Sequence, residues 1–194
     1  MTVDLLWERR MRLAGWSVGS PDRVRCAVLP AAALVSLRVD PAGEWADRVG
    51  VPLPGRGGVA AEGEHRVLWL GPDEFLVVGP DGDPALGPDG GGAALAARLG
   101  AAVGDGGCAV DVSAERTGVS VTGPHARDVL AKGCPLDLHP RVFGPGRCAQ
   151  SLLGRLRVLV WRPADGGFRL LVRGSYADHL AAWLTDTTAE YRDV

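Results

Sequence analysis

The 194-residue sequence contains no asparagine and no isoleucine, and Lys132 is the one lysine among its 21 basic residues. Without asparagine the chain cannot carry an N-linked glycan. We attribute the excess of arginine to biased codon usage in a GC-rich genome and not to function. The net charge of −2 and the sequence pI near 6.1 argue against the strongly basic surface of nucleic-acid-binding proteins.

Long hydrophobic runs are also absent. No apolar run reaches the roughly 20 residues that a membrane-spanning helix needs. The N-terminal segment MTVDLLWERRMRLAGW has no uninterrupted apolar stretch of the kind found in secretory signal peptides. We therefore expect a soluble, cytoplasmic protein. A chain of 194 residues is long enough to bury a substantial core, and one domain is the expectation for this length.

Cysteine is scarce, with four residues of which no two have C-x-x-C spacing. The four histidines add no recognisable metal-ligand spacing. We expect reduced thiols in or near the core and no metal ion on this chain.

Two short motif matches lack the structural context that their chemistry requires. Gly15–Gly19 fits the G-x-S-x-G pattern of hydrolases, but little chain precedes it, and Gly19 and Pro21 oppose the helix that should follow. Gly104–Ala109 fits the dinucleotide pattern G-x-G-x-x-A but leads into a predicted strand instead of opening a helix. We expect no catalytic and no cofactor-binding residue on this chain.

In the second half of the chain, the alternating apolar residues of Val119–Thr122 predict a strand. The clearest helix signal follows it, over His125–Lys132. Its apolar residues at i, i+3 and i+4 form one buried stripe, which consists of Ala126, Val129 and Leu130. We predict that Gly133 ends this helix in a left-handed conformation and that Pro135 prevents its continuation.

Further along, Val158–Trp161 and Leu170–Val172 are continuous apolar runs, and Asp165–Gly167 between them predicts a hairpin. Ser175 and Asp178 are spaced as a capping box at the start of a last helix. The apolar stripe of that helix comprises Tyr176, Leu180, Trp183, Leu184 and Tyr191.

The first half is less clearly patterned. Leu34–Val39 is predicted to form a strand, and Val67–Leu70 and Phe75–Val78 to form a hairpin around a four-residue turn, Gly71–Glu74. Ala93–Leu99 is predicted to be a short helix that the next glycine ends.

Together these elements predict an α+β fold in which helices pack on one side of antiparallel sheets. No linker separates two cores, so residues 1–194 are treated as a single domain. Within it, residues 1–64 are loosely patterned and residues 65–194 form the core.

Four sequence blocks, Leu68–Leu76, Gly123–Leu138, Phe143–Gln150 and Leu170–Leu184, resemble the gamma subunit of heterotetrameric sarcosine oxidase. The most specific signal is the segment AKGCPLDL followed by FGPGRCAQ. With their spacers the blocks cover residues 66–191, about two thirds of the chain. The motif residues that the resemblance singles out are Lys132, Gly133, Cys134, Pro135, Asp137, Gly146, Cys148 and Ser175.

The resemblance implies a fold like the folate-binding domain of aminomethyltransferases, the T-protein of glycine cleavage. It implies a non-catalytic structural subunit of an enzyme that oxidatively demethylates sarcosine to glycine with folate-linked one-carbon transfer. The implied partners are the alpha, beta and delta subunits. They would hold the cofactors, with flavin on beta, a nicotinamide dinucleotide and folate on alpha, and zinc on delta.

Trp7, Trp16 and Trp45 lie in the weakly patterned N-terminal part and are candidate interface residues, although they could instead fill that part's own packing. The alternative function is a stand-alone folate-binding or aminomethyltransferase-like protein, or a paralogue with an unrelated binding role. Because aminomethyltransferases carry further domains and this chain ends at Val194, we expect the subunit role.

Overall fold

The computed structural model describes residues 13–80 and 91–192, which form eleven strands and three α-helices. The strands are β1 (Ser17–Ser20), β2 (Val24–Val28), β3 (Leu34–Val39), β4 (Val59–Glu62), β5 (His65–Gly71), β6 (Glu74–Val78), β7 (Gly107–Asp111), β8 (Arg116–Thr122), β9 (Arg147–Leu153), β10 (Leu156–Arg162) and β11 (Phe168–Arg173). The helices are α1 (Gly92–Val103), α2 (Ala126–Ala131) and α3 (Ala177–Thr187). No helix within these described residues is long and apolar enough to cross a bilayer.

The chain divides into two compact units, one inserted into the other along the sequence. The terminal unit comprises the chain up to Leu29 and from Glu115 onward, and the inserted unit comprises Pro30–Ala114. Each unit has its own sheet and its own hydrophobic cluster. These boundaries differ from the division that the sequence favoured, between residues 64 and 65. That the whole chain acts as a single domain stays a prediction.

The terminal unit is built on a six-stranded antiparallel sheet with the strand order β1-β2-β8-β11-β10-β9. Every second residue of its central strands is buried on one face, as the two-residue period of a strand requires. Helices α2 and α3 contribute to the same cluster, which includes Val119, Val121, Leu170, Val129, Leu180 and Leu184. The predicted α+β fold, with helices on one side of an antiparallel sheet, is confirmed.

The inserted unit contains a five-stranded antiparallel sheet with the order β4-β5-β6-β3-β7, and α1 packs against it. The helix continues through Gly100 to the buried Val103, so the predicted end before Gly100 is wrong. A glycine inside a helix costs about 1 kcal/mol. Burying a valine side chain contributes about 1.5 kcal/mol or more, which offsets that cost.

The predicted strand Leu34–Val39 matches β3 residue for residue, and the hairpin of β10 and β11 is also confirmed. The hairpin of β5 and β6 is confirmed as well, but its turn is shorter than predicted. Gly71 pairs with Glu74, so only Pro72 and Asp73 lie between the strands. Four strands, β1, β2, β4 and β9, have no counterpart among the sequence-based predictions.

The helix boundaries of the terminal unit confirm one prediction and correct another. Helix α2 has the predicted stripe, since Ala126, Val129 and Leu130 are its buried residues. Helix α3 begins at Ala177, and the residue before it makes no side-chain capping bond. The predicted capping box is therefore wrong, because Ser175 lies inside the preceding 3-10 helix, Gly174–Tyr176.

Gly133 follows α2 but does not adopt the predicted left-handed conformation, since it is not among the glycines with positive φ. The constraint on this residue is space. A Cβ atom here would lie 2.7 Å from Cζ2 of Trp183 and 2.8 Å from the backbone nitrogen of Gly154. The Gly154 N–H donates a hydrogen bond to the Gly133 carbonyl at 2.9 Å. Gly133 thus lets the end of α2, the β9–β10 turn and α3 meet.

We expect Gly133→Ala to lower the free energy of unfolding by about 2 kcal/mol, because the added methyl group would overlap a backbone atom that cannot rotate away. Gly100→Ala is the matched control. Nothing lies within 4 Å of the place that a Cβ atom would occupy there, and removing a helical glycine should stabilise the protein by roughly 0.5–1 kcal/mol. Urea unfolding of both variants measures the difference, and an unchanged midpoint for Gly133→Ala would contradict the close-approach explanation.

Candidate interaction surface

Lys132, at the end of α2, contacts the C-terminal 3-10 helix, Ala189–Tyr191, and the residues just before it. Its Nζ donates a hydrogen bond to the Thr187 carbonyl at 2.6 Å, forms an ion pair with Glu190, and lies 5.1 Å from the centroid of the Tyr191 ring. The hydrogen bond from Lys132 lowers the pKa of the Glu190 carboxyl. Burial, followed by the hydrogen bond to Glu190, raises the pKa of Tyr191. Lys132 thus has a structural role in this corner of the fold.

The two motif cysteines are both buried. The Cys134 sulfur lies 3.9 Å from the hydroxyl of Ser151, and Cys148 is buried within β9. Gly146 has a φ of 77° and donates its N–H to the Arg162 carbonyl at 2.9 Å, which starts the pairing of β9 with β10. A side chain at Gly146 would be strained by this backbone conformation.

The remaining motif residues, Pro135, Asp137 and Ser175, are exposed. Asp137 accepts a hydrogen bond from the backbone N–H of His139 at 2.9 Å, which shapes the loop after α2. The structure therefore spreads the predicted motif residues over several turns and one strand. They make contacts that join elements of the fold, and they do not converge on a single chemical site.

Trp16 and Trp45 are both partly buried. Trp16 packs against the hydrophobic cluster of the terminal unit, and Trp45 against that of the inserted unit. A Cβ atom on Gly106 would lie 2.0 Å from Cδ1 of Trp45, so this glycine makes room for the indole ring. The contacts match the packing alternative, while an interface role for the exposed parts of the rings stays a prediction. Trp7 lies outside the described residues.

Neither short motif match has the structural context that its chemistry requires. Ser17 begins β1, which pairs antiparallel with β2 and does not lead into a helix. Gly104–Gly106 forms a 3-10 helix, and β7 starts at the next residue. Within residues 13–80 and 91–192, no three His, Cys, Asp or Glu side chains are grouped so that they could hold a metal ion.

The cysteines lie in or near the core with one exception. Cys26, Cys134 and Cys148 are buried, whereas Cys108 is exposed on β7. Cys26 lies in β2 opposite Val121, and burial raises the pKa of its thiol to about 12.

A groove on the terminal unit is lined by four arginines. Its volume is about 620 Å³, and its lining includes two apolar or aromatic side chains that are nearly half exposed. Such a combination of guanidinium groups with an exposed aromatic ring is typical of protein–protein interfaces. We call this surface the arginine groove and define it by Arg116, Arg155, Arg157, Arg173, Leu152 and Tyr176.

Three of these arginines form a row across neighbouring strands. Arg116 of β8 pairs with Arg173 of β11, and the register of β10 with β11 sets Arg157 opposite Arg173. On the far side of the row Arg157 pairs with Leu152 of β9. The three arginines and Leu152 each alternate with core residues along their strands. Their side chains therefore share the sheet face opposite the hydrophobic cluster.

The arginine groove carries more positive charge than its surroundings neutralise. Arg173 forms an ion pair with Glu115, with Nε 3.3 Å from Oε1. The Nε atom of Arg116 is buried and has no hydrogen-bond partner. No carboxylate of the described residues forms an ion pair with Arg116, Arg155 or Arg157. The chain as a whole has a net charge of −2, so this excess is local.

Sequence reasoning did not find the arginine groove. The alternation in Leu156-Arg157-Val158 places the arginine on the face away from the core. Which arginines then become neighbours depends on the strand register, and spacing along the chain does not provide it.

The comparisons with known proteins agree with one another. A family model described as the sarcosine oxidase gamma subunit family matches residues 39–190. A protein named sarcosine oxidase subunit gamma, from Corynebacterium sp. (strain P-1), is 43% identical over 150 residues, which make up 75% of this chain and 68% of that protein.

Two solved structures share the fold. A chain of the heterotetrameric sarcosine oxidase from Corynebacterium sp. U-96, in complex with pyrrole 2-carboxylate, aligns with a TM-score of 0.78 at 33% identity, over 96% of this chain and 94% of that chain. The glycine cleavage system aminomethyltransferase T from Bartonella henselae aligns with a TM-score of 0.56 at 15% identity, over 92% of this chain and 48% of that one. The second likeness concerns the fold alone and confirms the predicted aminomethyltransferase-like class. On the strength of the family match and the 43% identity, the chain belongs to the sarcosine oxidase gamma subunit family.

Proposed function

We propose that this chain is a non-catalytic, structural gamma subunit of a heterotetrameric sarcosine oxidase, an assembly that demethylates sarcosine to glycine. The observation that carries the proposal is the extent of one likeness. A chain of such a heterotetramer aligns with almost the whole of this chain and almost the whole of its own length. The name of the 43% identical relative, sarcosine oxidase subunit gamma, supports the same role.

Under this proposal the partners are the alpha, beta and delta subunits, in the cytoplasm, and these partners hold the flavin, nicotinamide dinucleotide, folate and zinc. The contacts of the motif residues support a structural role. Lys132 binds the C-terminal segment through a hydrogen bond to the Thr187 carbonyl. Gly133 lets the end of α2, the β9–β10 turn and α3 approach closely, and Gly146 positions the start of β9. Each of these residues makes contacts within the chain that stabilise its fold.

We expect the chain to co-purify with the alpha, beta and delta subunits of a heterotetrameric sarcosine oxidase when all four are co-expressed and only this chain carries an affinity tag. Stable subunit interfaces bury roughly 1,200–2,000 Å² or more, which is enough to survive purification. The matched control expresses the tagged chain with the delta subunit alone. If no other subunit is retained, the structural-subunit role is wrong, and tetrahydrofolate binding by the isolated chain then tests the folate-binding alternative.

We expect the isolated chain to be colourless and inactive on sarcosine, and the co-purified assembly to be yellow and active. A flavin site must position the reactive ring against the substrate. Under the proposed role, the residues that do so lie on a partner subunit, and the flavin is bound there. Absorbance spectra and an oxygen-consumption assay of the two preparations measure this. Flavin bound in stoichiometric amount to the isolated chain would contradict the assignment.

We expect Trp16→Ala to reduce the stability of the isolated chain by about 3 kcal/mol, because the indole ring packs against the core of the terminal unit. Thermal unfolding of the isolated variant measures this loss of stability. A pull-down with the partner subunits measures whether the variant still assembles. If the variant keeps its melting temperature but no longer assembles, Trp16 is an interface anchor and the packing explanation is wrong.

A further inference from the structure

The arginine groove holds an unbalanced set of charges. Four guanidinium groups line it, and one carboxylate, that of Glu115, pairs with one of them. The exposed positions of Arg155 and Arg157 let water solvate their charges. These two side chains are therefore available to an external anion without first breaking a contact within the chain.

The arrangement of the row costs stability in the isolated chain. Like charges placed directly opposite each other on neighbouring strands repel, and Arg173 has an arginine on both sides. In addition, the buried Nε of Arg116 lacks a hydrogen-bond partner, which is a cost that proteins rarely leave uncompensated. A bound anion would remove both costs, because it neutralises the row and accepts hydrogen bonds from it.

The size of the row indicates the kind of anion. Three arginines on three adjacent strands extend over two strand spacings, about 10 Å. A single phosphate or carboxylate is too small to reach them all. The flanking side chains, Leu152 and Tyr176, are 45% and 49% exposed and offer apolar contact at the edge of the same groove. A polypeptide that combines several carboxylates with an apolar side chain is complementary to this pattern.

We propose that the arginine groove is a docking surface for an acidic segment of a partner subunit, a stretch with at least three aspartate or glutamate residues. The proposal rests on the subunit role proposed above and adds to it the surface and the chemistry of its partner. The row supplies hydrogen-bond donors in a fixed geometry that suits carboxylates. Leu152 and Tyr176 are then covered when the segment docks.

The experiment compares two double variants of the full chain. Arg155→Glu with Arg157→Glu reverses the charge of the two exposed, unpaired arginines of the groove. Arg98→Glu with Arg141→Glu is the matched control, because both residues are exposed and lie outside the groove. Each replacement of arginine by glutamate changes the charge by −2, so both double variants go from a net charge of −2 to −6. Thermal unfolding of both checks that the fold is intact.

In the co-purified assembly, we expect the groove variant to bind its partners at least about tenfold more weakly than the control variant, which should match the unmodified chain. Raising the salt concentration should weaken binding of the unmodified chain and leave the residual binding of the groove variant nearly unchanged. Equal losses in both double variants would mean that overall charge, and not the groove, determines assembly, and would overturn the proposal.

A second measurement uses the isolated chain, so that it does not depend on the subunit role. We expect it to bind poly-L-glutamate at low ionic strength, and the groove variant to lose this binding while the control variant keeps it. Binding of inorganic phosphate alone, with no preference for poly-L-glutamate, would identify a small-anion site and overturn the proposal. If the unmodified chain self-associates and only the groove variant abolishes this, the occupant of the groove is a second copy of the chain. That result would also overturn the proposal.

The two measurements separate the two proposals. If the unmodified chain does not assemble with the other subunits, the subunit role fails, and the partner assigned to the groove fails with it. If it assembles and both double variants assemble equally well, the subunit role stands and only the docking proposal is wrong. If the groove variant assembles tenfold more weakly and also loses poly-L-glutamate binding, both the subunit role and the docking proposal are supported.

Discussion

The pairing of β2 with β8 is the interaction on which the terminal unit depends, because it joins the two parts of the chain that flank the inserted unit. The hydroxyl of Ser120 donates a hydrogen bond to the carbonyl of Ala27, which is 93 residues away in the sequence, and the N–H of Leu29 donates to the carbonyl of Gly118 at 2.9 Å. The entropy lost on closing such a loop grows only slowly with its length, so a sheet can accommodate an insertion of this size. In the strand order, β2 lies directly beside β8. Without this pairing, β1 and β2 would not be hydrogen-bonded to the rest of the sheet.

Elements that depend on local burial could be predicted from the sequence, and elements that depend on distant contacts could not. Strand β3 and the buried stripe of α2 have strong apolar periodicity, and both match the prediction. Strand β1 has no fully buried residue, so periodicity gave no signal there. Gly133 shows a different limit. A glycine after a helix has two physical explanations, a positive φ or a close approach, and only the distant residues Gly154 and Trp183 decide between them. No boundary of the two compact units was evident from the sequence, because an insertion has two boundaries and needs no single linker.

The same distinction applies to the candidate site. The family motif around Lys132 was evident from the sequence, and its contacts turn out to hold a chain end and a helix end in place. The arginine groove was not evident, since its members come from four strands, one turn and one 3-10 helix. The motif residues of this chain therefore maintain the shape of its fold. The positive charge of the arginine groove becomes visible only when the strands are in register.

The burial of Cys26 gives the protein an internal reporter of its own sheet. A thiol with a pKa of about 12 has almost no thiolate at neutral pH, and its burial in the core keeps alkylating reagents away, so its labelling requires the terminal unit to open locally around β2. Cys108 is exposed on β7 and reacts without any opening, which provides a reference within the same molecule. The ratio of the two labelling rates thus reports the free energy of local opening around β2 in the native protein.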